Sequence, residues 1–254
     1  MSVQSKARHQ QMMSFLHEVG EAKVNELSQK FNVTEETIRR DLARLEKDGL
    51  LIRKHGGAVP QDVITNELSF DQRKIQNIKE KTAIAELALK HIEAGDSIFL
   101  DGSTTTWQMA RKMPDIPLTI ISDSIRVLVS LANHKNITLV SIGGVLCPAT
   151  QTMLGPNAIS SINNYYVDKY FFSCQGLDSE WGVSDNNYDV AAVKIAMLAQ
   201  SKKHFLLLDN QKVHKRSLVL FASLKEVDHI ITDSNTAQNF IPSSENIQVS
   251  IAKI

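Results

Sequence analysis

Apolar residues recur through the first sixty positions with the period of a helix. Met12, Phe15, Leu16 and Val19 fall on one face of a segment from about 6 to 19, with Ser5 placed to cap it and Gly20 to end it. Val24, Leu27 and Phe31 predict a second, shorter helix over 24–31, closed by a tight turn at Asn32-Val33. Thr34 is placed to cap a third helix, and Glu35 and Glu36 sit in its first turn, where the macrodipole favours negative charge. Ile38, Leu42 and Leu45 line its inner face, and Gly49 is placed to stop it. The run 50–59 then sets apolar residues on either side of a basic tip with two glycines, the pattern of a β-hairpin wing.

Beyond this the pattern changes. Residues 61–77 are polar without a period and read as a linker; a helix is predicted over 78–91. Apolar runs rich in β-branched and aromatic residues follow at 97–100, 118–121, 137–141, 169–173, 205–208 and 229–231. Helical segments at 105–113, 124–133, 157–162 and 189–200 separate most of them. Such alternation predicts a mostly parallel sheet with helices on both faces. The expected organisation is therefore a small domain over 1–60, a linker over 61–77 and an α/β domain over 78–254.

Composition narrows the class. With 43% hydrophobic and 22% charged residues in 254, the chain reads as globular and not as disordered. No apolar run approaches the roughly 18–20 residues of a membrane span, and the first residues lack the apolar stretch of a secretory signal, so a cytoplasmic protein with no membrane partner is expected. Two cysteines, Cys147 and Cys174, make neither a disulfide framework nor a multi-cysteine metal site, and the eight histidines show no paired ligand spacing. No metal and no cofactor is expected.

Net charge is zero, but residues 1–60 hold ten Lys+Arg against eight Asp+Glu. On a helical wheel Arg40, Arg44 and Lys47 point away from the third helix's apolar stripe, with Thr37 and Arg39 on its flanks. Two short helices, a tight turn and a third helix with a cationic outer face form the layout that lays a helix in a major groove. Arg53, Lys54 and His55 at the wing tip can meet phosphates or a minor groove. Asp41 fits an ion pair with a neighbouring arginine, Arg39 being one candidate. The alternative is a three-helix domain that binds protein or nothing at all.

The stretch from Leu27 to Leu42, containing Thr37-Ile38-Arg39-Arg40-Asp41-Leu42, followed by Gly49-Leu50-Leu51 and Arg53-Lys54-His55-Gly56-Gly57-Ala58, closely resembles the N-terminal domain of the DeoR family of bacterial transcription regulators. The resemblance implies an α+β winged helix-turn-helix domain that binds double-stranded operator DNA. Thr34, Thr37, Arg39, Arg40, Arg44, Arg53, Lys54 and His55 are its candidate contacts.

In parallel α/β sheets ligands sit beyond the carboxyl ends of the strands, which directs attention to five loops. Asp101-Gly102-Ser103-Thr104-Thr105-Thr106 joins a strand to a helix and offers one glycine and four hydroxyls, as a phosphate cradle would. Taken alone, such a loop is better read as an ordinary hydroxyl-rich cap. It lacks the Walker lysine and the three-glycine fingerprint, so neither ATP nor NAD is indicated. The others hold Ser122 and Ser124; Gly143 and Gly144; Gly176 and Asp178; and Asp209 to Lys212.

In this order the loops resemble the Rossmann-like fold of sugar-phosphate isomerases and deaminases, a version of which the DeoR family carries as its sensor domain. The resemblance implies that Gly102, Ser103, Thr104 and Thr105 hold a phosphate with help from Lys212, with Asp101 in the same effector site. Asp178 would lie near the sugar, and Lys194 would border the site. Against the isomerase pattern, Val193 stands where a catalytic glutamate would be, and only Asp178 survives of a three-acid loop. A side chain that cannot accept a proton cannot serve as the base, so a non-catalytic sensor is expected. The alternative is an isomerase- or deaminase-like enzyme with an accessory DNA-binding domain. A third reading is a nucleic-acid-binding protein with an inert core.

Cys174 reads as a small core residue and Trp107 as a helix-face one. The runs around Trp107 and Cys174 look most like the fucose-operon regulator branch. The whole reads as a DNA-binding regulator, a repressor of a carbohydrate catabolic operon, controlled by a phosphorylated sugar and acting as a homo-oligomer. Because one winged domain touches few base pairs, at least a dimer is expected.

Overall fold

A computed structural model describes residues 3–48, 50–54, 56–60, 69–239 and 247–254. They form two compact units, one ending at Ser69 and the other beginning at Phe70.

The first unit contains α1 (Val3–Val19), β1 (Ala22–Lys23), α2 (Val24–Phe31), α3 (Glu35–Lys47), β2 (Leu51–Lys54) and β3 (Gly57–Pro60). Helix α1 begins ahead of Ser5, so that residue lies inside the helix and not at its cap. Met12, Leu16, Leu27, Ile38, Leu42 and Leu45 form the buried core with Leu51 and Ala58, whereas Val19 lies largely in solvent. Asn32 ends α2 in the left-handed conformation, and the side chain of Thr34 accepts from the Thr37 amide to cap α3. Antiparallel strands in the order β1-β3-β2 make the wing, with Gly56 at a φ of +79° on its turn. Gly49 and His55 lie outside the described residues.

The second unit is built on seven parallel strands. Helix α4 (Phe70–Arg73) and α5 (Ile78–Leu89) lead into β4 (Ser97–Leu100), α6 (Thr104–Arg111), β5 (Leu118–Ser122), α7 (Ile125–Leu131) and β6 (Ile137–Ser141). A hairpin of β7 (Val145–Cys147) and β8 (Thr152–Leu154) comes next, then α8 (Pro156–Ile162) and β9 (Val167–Phe172). The rest comprises β10 (Gly176–Asp178), β11 (Gly182–Asp185), α9 (Tyr188–Ala199), β12 (Ser201–Leu208), β13 (Val219–Ala222), β14 (His229–Asp233), α10 (Ser234–Asn239) and β15 (Gln248–Ala252). The large sheet runs β15-β14-β12-β9-β4-β5-β6, and β10, β11 and β13 form a small antiparallel sheet.

Because side chains alternate across a strand, each apolar run of the large sheet feeds two cores. Phe99, Tyr170, Phe172, Leu206 and Leu208 pack on one face with α8 and α9. Ile98, Leu100, Phe171, Phe205 and Leu207 pack on the other with residues of α5, α6 and α7. Burial on both faces is why these strands read as unbroken apolar runs.

The order of strands places one feature. From β4 the chain winds outward through β5 and β6, then returns to lay β9 on the opposite side of β4 and winds outward again through β12. The β4–β9 boundary is the topological switch point, where connecting loops diverge and leave a crevice.

The expected linker over 61–77 is structured in its second part. Phe70 is buried with its ring 5.6 Å from that of Trp107, and its amide donates to Ala149 O at 2.8 Å. Residues 61–68 lie outside the described residues.

Candidate DNA-binding and effector sites

On α3 the arginines divide by what they touch. Arg39 pairs with Glu35 one turn earlier at 2.7 Å, and Arg53 of the wing pairs with Glu46 at 2.7 Å. Arg40 and Arg44 are exposed, as is Lys54, and no other described residue engages their side chains. Thr34 and Thr37 share a hydroxyl hydrogen bond of 2.9 Å at the start of the helix. Asp41 turns inward. It accepts from Arg8 at 2.7 Å and lies 2.9 Å from His9 Nε2, so its partners come from α1 and not from Arg39. Burial pushes the Asp41 carboxyl up, but the hydrogen bonds from Arg8 and His9 outweigh this and hold its pKa below the usual value.

At the switch point a small cleft opens beyond the ends of β4, β9 and β12. Ser103, Thr104 and Thr105 form one wall, Ser173 to Gln175 the floor, and Asp209, Gln211 and Lys212 another wall. Ser103 is engaged as the cap of α6, accepting from the Thr106 amide. The hydroxyls of Thr104 and Thr105 are engaged by no other described residue. Lys212 donates to Gln175 Oε1 at 2.8 Å, and burial lowers its pKa, partly offset by Asp209.

Other expected effector residues stand elsewhere. Asp101 is buried behind the loop, accepting from the amides of Ser103 and Ser173 at 3.0 Å each, so it shapes the cradle without lining it. Gly102 lets the loop pass the β8 hairpin, since a Cβ there would come within 2.0 Å of Thr152 Cγ2. Ser122 is spent on Leu100 O and the Ser124 amide, and Ser124 caps α7. Gly143 and Gly144 turn the chain after β6, and Gly176 packs against Lys215 O within the small sheet. Asp178 pairs with Arg216 at 3.0 Å and takes the amides of Glu180 and Trp181, which bring its pKa down to about 2. Lys194 is buried, donating to Asp185 at 2.8 Å and Ser173 O at 2.6 Å, and stands 3.3 Å from Asp101. None of these residues lines the cleft.

Arg73, Gln76 and Lys81 complete the lining, all from α4, α5 and the turn between them, and sequence reasoning missed them. Lys81 was hidden by its place in an amphipathic helix; its Nζ donates to Arg73 O at 2.7 Å, and burial brings its pKa down to about 8. Cys174 reaches the cleft floor, yet burial pushes its thiol up to about 12, so it is no nucleophile. Trp107 donates to Ser130 and packs on Phe70, the helix-face role expected.

Two family models match the chain, the DeoR-like helix-turn-helix domain over residues 8–62 and the DeoR C terminal sensor domain over residues 76–234. The chain belongs to the DeoR family. This DeoR-family regulator is 40% identical over 247 residues to the uncharacterized HTH-type transcriptional regulator YulB of Bacillus subtilis, covering 97% of this chain and 96% of that one. It is 37% identical to the HTH-type transcriptional regulator GlpR of Haloferax volcanii over 83% of this chain and 82% of the relative. The L-fucose operon activator of Haemophilus influenzae is 33% identical over 91% of this chain and 93% of its own. A ribose 5-phosphate isomerase A from Methanocaldococcus jannaschii superposes with a TM-score of 0.41 at 15% identity, covering 54% of this chain and 55% of the isomerase, a likeness too slight to carry an argument. Among the described residues no helix is long and apolar enough to cross a membrane.

Proposed function

We propose that this DeoR-family regulator is a cytoplasmic repressor of a carbohydrate catabolic operon whose hold on operator DNA is set by a phosphorylated sugar in the switch-point cleft. The cleft itself is the observation that carries this. Thr104 and Thr105, whose hydroxyls no other described residue engages, stand at the N-terminus of α6 and line with Lys212 a crevice where three strands end. Helix-terminal amides, hydroxyls and a lysine are the donors a phosphate monoester takes.

The site reads as non-catalytic. Val193 is buried in the apolar core, and Lys194 is consumed by Asp185 and Asp101. The effector acts by linkage: if it binds one arrangement of a homo-oligomer more tightly than another, it shifts the population competent for operator binding. The likeness to the L-fucose operon activator of Haemophilus influenzae favours a second reading, in which the same cleft controls activation.

The test is a panel of sugar phosphates, fuculose 1-phosphate among them, scored by thermal stability and operator affinity, with each hit repeated using the unphosphorylated sugar. Lys212→Gln and Thr104→Val are expected to weaken the effector about tenfold or more while leaving operator affinity intact. Turnover of ribose 5-phosphate or glucosamine 6-phosphate would instead establish an enzyme.

A further inference from the structure

The cleft carries more positive charge than its walls neutralise. Arg73, Lys81 and Lys212 line it, and Asp209 is the one acid among the described lining residues. The three cations oppose one another: Arg73 lowers the proton affinity of both Lys81 and Lys212. Two of them have hydrogen-bond partners, Lys212 on Gln175 and Lys81 on the carbonyl of Arg73. Arg73 has none. Its Nε is buried without a hydrogen-bond partner, and no ion pair among the described residues includes its guanidinium. An unpartnered buried N–H and a crowd of like charge both cost stability, so the arrangement calls for a ligand with oxygens to spare.

Place in the chain gives this residue a second meaning. Helix α4 is the first element of the second unit, beginning at Phe70 directly after the first unit ends at Ser69. It is held to the α/β unit by the Phe70 ring on Trp107 and beneath the Arg126 guanidinium, by the Phe70 amide on Ala149, by Asp71 3.8 Å from Arg126, and by the Lys81 bond to Arg73 O. Farther along, Asn77 meets Asp209 and Gln211.

We infer that Arg73 is a ligand for the effector's anionic group, and that through it the effector fixes α4, the element by which the chain enters the sensor unit from the DNA-binding unit. This rests on the cleft being the effector site. Guanidinium geometry suits a phosphate, which it grips through two parallel N–H donors. Occupancy at the cleft is thereby converted into order at the point where the two units are joined.

The test uses the full chain with inorganic phosphate as the probe, against chloride at matched ionic strength. Arg73→Gln and Lys212→Gln are each compared with the parent by thermal midpoint and by amide hydrogen exchange over 70–77. In the parent, phosphate is expected to raise the midpoint and slow exchange over 70–77. R73Q is expected to bind phosphate about tenfold or more weakly, to lose the added protection, and to melt without phosphate no lower than the parent. A purely structural arginine would instead lower that midpoint when removed. If K212Q weakens phosphate and R73Q does not, the cleft stands and the role of Arg73 is overturned. If R73Q weakens binding but exchange over 70–77 never responds in the parent, the coupling through α4 is overturned. If the parent ignores phosphate, the site and the inference fall together.

Discussion

Asp41 lies on the recognition helix but belongs to α1, its Oδ2 2.7 Å from Arg8 Nε. The contact ties α3 to the first helix from behind, leaving the outer face to Arg40 and Arg44. Asp41→Asn is expected to destabilise the first unit by about 2–3 kcal/mol, because buried His9 and half-buried Arg8 then share one neutral acceptor oxygen in place of a carboxylate, and an NH2 group faces a donor. The native pKa of Asp41 lies below the ordinary aspartate value. Its contribution is therefore present above that pH and is lost as pH falls through the native pKa. Hydrogen exchange of α1 and α3 amides measures this directly. Faster exchange confined to this unit is the expected result, and unchanged exchange would dismiss the contact as idle.

The division among the arginines predicts a graded response to salt. Arg40→Ala and Arg44→Ala are each expected to reduce the slope of log affinity against log salt by about 0.9, one phosphate contact apiece. Arg39→Ala and Arg53→Ala should change it less, since Glu35 and Glu46 already share those charges. Operator titrations between low and moderate salt would show the ranking. Equal slopes for all four variants would mean that the ion pairs open on DNA.

Legibility follows from how local each signal is. The recognition helix was readable because its cap, acidic first turn and apolar stripe lie within a dozen neighbouring residues, and α3 runs Glu35–Lys47 as that pattern implies. The parallel strands were readable because burial on both faces demands unbroken apolar runs. The start of β12 was not, since Ser201 to His204 are polar and extend only because they pair with β9. Thr104, Thr105 and Lys212 were within reach because they follow strand ends. Ser122 and Ser124 follow one too, yet they cap and brace the backbone, and a hydroxyl's sequence position does not tell a cap from a ligand. Arg73 gave no signal at all: what orders its segment is Phe70 on Trp107, a contact between distant parts of the chain.

Lys194 separates a structural role from a binding one. Its ammonium holds Asp185 and Asp101 together beneath the cleft, and those acids raise its pKa despite burial. Lys194→Ala leaves two buried carboxylates without their cation and is expected to cost about 3–5 kcal/mol. Trp107 and Trp181 both lie in the α/β unit, so denaturant unfolding followed by fluorescence reads it there. Full stability combined with a lost effector response would return Lys194 to the effector site.

Lys81 makes the cleft sensitive to pH near neutrality. Its pKa of about 8 lies below the ordinary lysine value of 10.5, chiefly through burial. Between those two values the unfolded chain holds a proton there that the folded chain has released, so this group's contribution to stability rises as pH climbs through that window. Anion binding works in the opposite direction, because the cleft loses a positive charge above about pH 8. Effector affinity is therefore expected to fall between pH 7 and pH 9, with proton uptake on binding at pH 8. Calorimetric titration in two buffers of different ionisation heat measures that uptake. Lys81→Met should abolish both the uptake and the pH dependence, and if the parent's affinity were flat across the same range, Lys81 would not face the bound anion.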